Sequence, residues 1–206
     1  MAAQNKRNRM GYLLALAAVA LVLVGILLAL QPAGTPLSLL IRGAGLLGYL
    51  AVFLAIASAA YLTELVRFFG RPFIKVHHSI AATGLALITL HALGVATRAG
   101  SLAVFVPDAG SPLAFLATGG RLAWFLIVAA ALVAAARASI GRQWRLLHGL
   151  TYLAFWLATA HAILLGTDVQ AMVTRVIAVV LALAVVAIFT LKRRRMGKRP
   201  AGRRRS

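Results

Sequence analysis

The sequence is dominated by long apolar segments that carry almost no charge. The stretch from Tyr12 to Leu30 contains no Asp, Glu, Lys or Arg. Five further apolar stretches follow it, of which two carry a single arginine each, Arg121 and Arg175. A helix needs about 20 apolar residues to cross the hydrocarbon core of a bilayer, whereas a barrel strand alternates over about 10 residues. We therefore predict an all-α membrane protein, a six-transmembrane-helix bundle with spans at about 12–30, 43–62, 77–97, 113–136, 146–165 and 169–191.

The composition excludes two other classes of protein. Charged residues make up 12% of the chain, about half of the usage in soluble domains, so an ordinary soluble enzyme is excluded. The 62% of hydrophobic residues excludes a disordered chain. The chain has no cysteine, so disulfides, cysteine-bound zinc and cysteine-bound iron–sulfur clusters are excluded as well.

The distribution of basic residues predicts the orientation. If both termini are cytoplasmic, 18 of the 22 Lys and Arg lie on the cytoplasmic side, as the positive-inside rule requires. We expect a basic N-terminal segment at 1–11, the membrane domain at 12–191 and a basic tail at 192–206. The tail has no interleaved aromatic residues, so we expect it to lie on anionic lipid and not on nucleic acid. The predicted location is a bacterial or archaeal inner membrane.

All five histidines lie in the third and fifth predicted spans. His77 and His148 are near the inner ends, and His91 and His161 are near the outer ends. The separations of 14 and 13 residues both correspond to about 20 Å along a helix. Two helices with histidines at two matched heights could hold two haems, each bound by one histidine from each helix, because imidazole suits iron. We expect two b-type haems, with one haem as the alternative.

The helical phase of these residues leaves several assignments open. His77 and His91 share a helix face to within about 40°, whereas His148 and His161 are about 140° apart on an ideal helix. His78 is an alternative inner ligand, but it points about 100° from His77, and we favour His77. Gly84 lies midway on the His77 face, where a missing side chain could admit a haem or serve helix packing.

Other interpretations of the ionisable groups also exist. The two heights exclude a single metal site, and a proton relay would usually include a carboxylate in the membrane, which is lacking here. Structural histidines remain an alternative. Basic residues near the histidines could bind haem propionates or anchor the helices at the membrane surface; they are Arg71, Arg142 and Arg145 on the inner side and Arg98, Arg121 and Arg175 on the outer side.

Three glycines of the second span form a G-x-G-x-x-G pattern at Gly43, Gly45 and Gly48. A dinucleotide-binding fingerprint requires a preceding strand and a βαβ unit. Here the glycines begin a predicted membrane helix, so we interpret them as helix-packing residues.

Two histidine segments resemble a known family. RPFIKVHHSIAATGLALITLH, from Arg71 to His91, and R-x-W-R-x-L-H-x-L-x-Y-L, from Arg142 to Leu153 with His161 after it, are similar to the third and fifth helices of the ferric-reductase-like transmembrane domain. This superfamily includes ferric reductases, NADPH oxidases and MsrQ-type haem-binding subunits of bacterial methionine sulfoxide reductase systems. The resemblance implies six helices, b-type haem and electron flow across the membrane. Its haem ligands correspond to His77, His91, His148 and His161.

The resemblance also predicts the partners. Ferric reductases and NADPH oxidases carry a flavin and NADPH domain after these helices, and we expect this chain to bind no flavin itself. Electrons would come from a separate flavoprotein or from quinol. They would pass to an outer acceptor such as a periplasmic reductase, ferric iron or oxygen, so the chain would be an electron-transfer subunit of an oxidoreductase. The alternatives are a single-haem MsrQ-like subunit and a haem-free membrane scaffold or transporter.

Overall fold

All regular structure in the described part of the chain is helical. The computed structural model describes residues 2–31, 33–69 and 73–197. Short 3₁₀ turns at Leu102–Phe105, Gly141–Gln143 and Thr167–Val169 join some of the helices. The α-helices are α1 (Ala2–Ala29), α2 (Pro36–Ala60), α3 (Leu62–Phe69), α4 (Phe73–Ala99), α5 (Pro112–Ala117), α6 (Gly119–Ala135), α7 (Arg137–Ile140), α8 (Trp144–His148), α9 (Leu150–Leu165) and α10 (Met172–Gly197). The predicted all-α class is confirmed for these residues.

Five helical segments are long and apolar enough to cross a membrane. The fourth predicted span, at 113–136, corresponds mainly to α6, which is apolar but has only 17 residues and is shorter than the other candidates. The structure thus supports an integral membrane protein, while the count of six spans remains a prediction. The five segments are Gly11–Ala29, Pro36–Ala60, Phe73–Ala99, Arg137–Leu165 and Met172–Arg194.

The second helix begins seven residues earlier than the sequence analysis placed it. Pro36 occupies the first turn of α2, and the hydroxyl of Thr35 caps the helix by accepting the Ser38 N–H at 3.2 Å. Arg42 therefore lies inside the helix. Its guanidinium pairs with Asp168 at 2.5 Å, and both side chains are largely buried. The charge that marked a boundary in the sequence is neutralised by an acid 126 positions away.

Two predicted spans are interrupted. The span at 113–136 is divided at Thr118, whose hydroxyl donates to the Ala114 carbonyl and accepts the Asp108 N–H. Gly119 and Gly120 follow, and glycine is a weak helix former. The span at 146–165 is divided at Gly149, whose N–H is shared between the carbonyls of Arg145 and Leu146. Each interruption lies beside one of the histidines or the carbonyls that they contact.

The long helices pack as antiparallel neighbours in two close pairs. α2 packs on α4, and α6 packs on α9. α10 completes the bundle by packing on α2 and α9, where Phe155 is fully buried. The core cluster at this junction consists of Val52, Ile56, Phe155, Val185 and Ile188.

The outer surface of the bundle is apolar. Leu14 is 66% exposed on α1, and Leu183 is 58% exposed on α10. A soluble protein rarely exposes apolar patches of this extent, whereas a lipid environment accepts them. The exposed surface and the long apolar helices agree on a bilayer as the surroundings of this chain.

Candidate haem-binding site

The histidines lie at two levels of the bundle. We call the level of Lys75, Arg142 and Lys192 the basic end, and the level of the connecting segment 100–111 the loop end. His77 and His148 lie towards the basic end and interact electrostatically with each other. His91 and His161 lie towards the loop end and also interact. The structure thus places one histidine of each segment at each of the two levels.

The loop-end histidines are both held by backbone carbonyls of neighbouring helices. Nδ1 of His91 lies 2.9 Å from the carbonyl oxygen of Ile41 on α2. Nδ1 of His161 lies 2.7 Å from the carbonyl oxygen of Ala117 at the end of α5. A carbonyl oxygen only accepts hydrogen bonds, so Nδ1 carries the proton in both rings.

The basic-end histidines are held in the same way, with one difference. Nδ1 of His148 lies 3.0 Å from the carbonyl oxygen of Ala130 on α6. Nδ1 of His77 lies 2.9 Å from the hydroxyl oxygen of Ser58 on α2. That hydroxyl donates its own proton to the Ala55 carbonyl at 2.9 Å, so it accepts from His77.

These hydrogen bonds define the state in which each ring could bind a metal. With the proton on Nδ1, Nε2 carries the lone pair, and in the described part of the chain Nε2 has no hydrogen-bond partner on any of the four rings. Histidines that bind metals commonly donate their other ring N–H to a carbonyl or similar group, which fixes the ring and raises its basicity. The four histidines therefore fit the requirements of axial haem ligands.

The helices that carry the histidines pack mainly on other neighbours. α4 packs mainly on α2, α9 packs mainly on α6, and within the described residues α4 and α9 do not pack closely on each other. The described residues also contain no group of three or more His, Asp or Glu placed to hold a bare metal ion. Histidine pairs carried by separate helices would suit a metal whose other ligands come from a macrocycle.

The break at Gly149 means that His148 and His161 do not lie on one continuous helix, so the angle between them is not that of an ideal helix. An ideal helix places His148 and His161 about 140° apart. The structure divides this segment into α8 and α9, and His148 is the last residue of α8. Both rings consequently reach carbonyls of the same neighbour, the α5–α6 segment.

His78 differs from the other histidines. Its side chain is exposed, and among the described residues it has no hydrogen bond, although its ring lies 5.7 Å from that of His77. The half-buried and hydrogen-bonded ring is that of His77. The geometry therefore favours His77 over His78 at the basic end.

Glycines allow two histidine rings to lie against neighbouring helices. A Cβ added to Gly45 would meet the His91 ring at 2.8 Å, and a Cβ added to Gly120 would meet the His161 ring at 2.6 Å. Gly48 lies equally close to Ile88. The helix-packing interpretation of the G-x-G-x-x-G pattern is confirmed at Gly45 and Gly48.

Gly84 requires a correction. From the sequence alone, Gly84 is either a haem-packing residue or a helix-packing residue. It is buried against α2, where an added Cβ would meet Ala51 and Val52 at 3.2 and 3.3 Å. Because α2 already covers this position, the helix-packing interpretation is the one that the structure supports.

The arginines proposed as propionate contacts differ in their burial and in their contacts. Arg121 is half-buried and donates to the carbonyl oxygens of Val106 and Ala103, so it holds the connecting segment at the loop end. The Arg145 guanidinium lies over the Trp144 ring, 5.8 Å from its centroid. Arg71 lies outside the described residues. The remaining candidates have exposed side chains; they are Arg98, Arg142 and Arg175.

An aromatic stack occupies the centre of the bundle. The ring of Tyr49 stacks on Phe155 with centroids 4.6 Å apart, and the Tyr49 hydroxyl lies 2.8 Å from that of Thr159. Tyr49 lies about midway along α2 between Ile41 and Ser58, the two residues that contact histidines. The stack therefore forms a packed layer between the two histidine levels.

Sequence reasoning missed several residues that hold the site. Ser58 is an isolated hydroxyl within an apolar helix, and such groups usually pair with another polar group in a membrane. Lys192 was also missed as a half-buried residue of α10, because its charge assigned it to the basic tail. The carbonyls of Ile41, Ala117 and Ala130 leave no signal in a sequence.

The sequence matches no protein-family model, and neither a curated protein nor a solved structure is significantly similar to it.

Proposed function

We propose that this chain is a membrane cytochrome b that relays electrons across the bilayer. One haem b would be held by His77 and His148, and a second by His91 and His161. The single observation that carries this proposal is the common state of the four rings: each is fixed through Nδ1, leaves Nε2 without a partner among the described residues, and lies level with a ring of the other histidine segment, α4 on one side and α8–α9 on the other.

The work of the chain is to position and insulate the two sites. The haems, when bound, supply one-electron redox chemistry. The Nδ1 hydrogen bonds fix the orientation of the imidazoles and raise their basicity as ligands. The helices hold the two levels about 20 Å apart, and the apolar packing around Phe155 keeps water away from the region between them.

The direction of transfer follows from the proposed orientation. The basic end would face the cytoplasm, because most Lys and Arg lie at that end. A flavoprotein or quinol would supply electrons, and a reductase, ferric iron or oxygen would accept them at the loop end. The resemblance to the ferric-reductase-like domain supports this proposal, and the membrane would be a bacterial or archaeal inner membrane.

The test is haem stoichiometry in the purified chain, expressed with ample haem and examined by a reduced-minus-oxidised spectrum. We expect two b-type haems per chain. His91→Ala and His161→Ala should each lose one haem, and His77→Ala and His148→Ala should each lose the other. His78→Ala is the matched control and should keep both.

Three results would contradict the proposal in different ways. A colourless protein would return the histidines to structural roles and support a scaffold or transporter. One haem per chain would favour the single-haem subunit. Retention of both haems in all four histidine variants would show that other residues bind them.

A further inference from the structure

A lysine continues the buried face of α10. Residues three or four positions apart lie on one face of a helix. Lys192 follows Ile188 by four positions and Val185 by seven, so it extends their stripe towards the basic end. The buried residues of this stripe are Ala178, Ala182, Val185 and Ile188.

The placement of Lys192 differs from that of its neighbours. Its side chain is half-buried, whereas those of Arg193 and Arg194 are exposed. The Arg193 guanidinium lies 5.1 Å from the centroid of the Phe189 ring. Lys192 instead extends a stripe whose residues Val185 and Ile188 share a buried cluster with Ile56 of α2, two positions before Ser58, whose hydroxyl contacts His77. A lysine that only anchored the helix at the membrane surface would extend outward as the two arginines do.

No protein carboxylate neutralises Lys192 in the described part of the chain. The sequence has three acids. Asp168 pairs with Arg42, and Asp108 accepts the Gly110 N–H, both at the loop end. Neither these two nor Glu64 is paired with Lys192, and Lys192 has no hydrogen bond in that part. A partly desolvated ammonium is costly unless an anion accompanies it.

We propose that Lys192 binds a propionate carboxylate of the haem held by His77 and His148. This inference rests on the proposed function. A charge-assisted hydrogen bond from the ammonium would neutralise both groups and add a third attachment for the haem. A lipid phosphate offers the same anionic chemistry, but the buried stripe directs Lys192 towards the bundle, on the side of α2 that carries Ser58 and its contact with His77.

The experiment compares the dissociation of two haems that differ only in their carboxylates. The full chain carrying His161→Ala is used, because it should keep the basic-end haem alone. It is placed in nanodiscs of phosphatidylcholine and loaded with haem b or with its dimethyl ester. Dissociation is followed as transfer to excess apomyoglobin in the chain with Lys192, Lys192→Gln or Lys192→Arg. Arg193→Gln is the matched control.

We expect Lys192→Gln to release native haem about tenfold faster, the size of one charge-assisted hydrogen bond. The same change should leave the release of the dimethyl ester unaltered, because the ester has no carboxylate. Lys192→Arg should stay close to the parent rate, since it keeps the charge. Arg193→Gln should also match the parent.

Each other outcome would overturn the inference. Equal acceleration of both haems would show a structural role, and no acceleration would show no contact. Acceleration found only in nanodiscs that contain phosphatidylglycerol would assign Lys192 to a lipid phosphate. If the His161→Ala chain with Lys192 intact binds no haem, the proposed function fails instead, which the parent sample reveals before any lysine variant is compared.

Discussion

Four hydrogen bonds decide the chemistry of the histidine rings, and only one of their acceptors is a side chain. His91, His148 and His161 donate to backbone carbonyls, which no substitution removes. His77 donates to the hydroxyl of Ser58. Ser58 is therefore the position at which the role of such a bond can be tested directly.

We predict that Ser58→Ala weakens haem binding at the basic end about ten- to hundredfold, the usual effect of removing an outer-shell partner of a ligating histidine. The variant leaves the His77 N–H without its acceptor, so the ring loses its fixed orientation. Haem titration of the apoprotein measures the effect. Ser79→Ala, which removes an exposed hydroxyl bonded to the Lys75 carbonyl, should bind haem as the parent does. Equal affinities for Ser58→Ala and the parent would contradict the role of this bond.

Two residues, Gly84 and Lys192, show which features of the site could not be predicted from the sequence. The 14-residue spacing placed Gly84 on the face of His77 and His91, and this placement was sound. The sequence did not reveal that α2 covers this face, because the contact joins Gly84 to Ala51 and Val52 on another helix. Lys192 was assigned to the tail by its charge, although the periodicity of α10 places it on the buried stripe.

At the scale of the helices, two glycines at the start of α6 lie very close to α9, beside His161. Gly119 lies against the backbone of Leu157, and Gly120 lies against the His161 ring. The ring is held from its other side by the Ala117 carbonyl. The two glycines thus create the space in which the ring keeps its hydrogen bond.

We predict that Gly120→Ala removes or distorts the loop-end haem and leaves the other intact. The added Cβ would lie 2.6 Å from a ring carbon of His161, too close for the ring to stay in place. Haem per chain and the reduced spectrum report the result. Gly25→Ala is the control, since no atom lies within 4 Å of the added Cβ there.

A Gly120→Ala variant that keeps both haems would also be informative, because alanine has a higher helix propensity than glycine. Alanine favours a helix by about 1 kcal/mol over glycine, so Gly120→Ala would raise the thermal stability if the ring could move without cost. A more stable variant that keeps both haems would show that the close contact with His161 is unimportant.

At the scale of the whole molecule, the side of the membrane on which each terminus lies depends on whether α6 crosses the bilayer. α6 has 17 residues, or about 25 Å, which lies at the lower limit for crossing a bilayer. If α6 crosses, the number of crossings is even and the basic end faces one compartment. If it does not, the two termini lie on opposite sides.

We predict that both termini are cytoplasmic. A fluorescent protein fused after residue 206 should be bright, and alkaline phosphatase fused there should be inactive. The same reporters inserted between Gly110 and Ser111 should give the reverse pattern, because this segment lies at the loop end. An active phosphatase at the C-terminus would contradict the six-span topology.

The approximate positions of the long apolar helices were predictable, because a bilayer imposes about 20 apolar residues on each span and the sequence displays such runs. The breaks were not predictable from hydropathy, since Thr118 and Gly149 lie within apolar segments. The extension of α2 past Arg42 was also not predictable. It depends on Asp168, which is distant in the sequence.

The sequence by itself determined the all-helical class, the apolar lengths and the histidine spacings, because each is set by residues close together in the chain. Only the tertiary structure decided which nitrogen of each ring is free. The acceptors lie 18 to 50 positions from their histidines. They are brought near only when α2 packs on α4 and the α5–α6 segment packs on α8 and α9. A backbone carbonyl is present at every residue, so packing alone selects which carbonyl holds a ring.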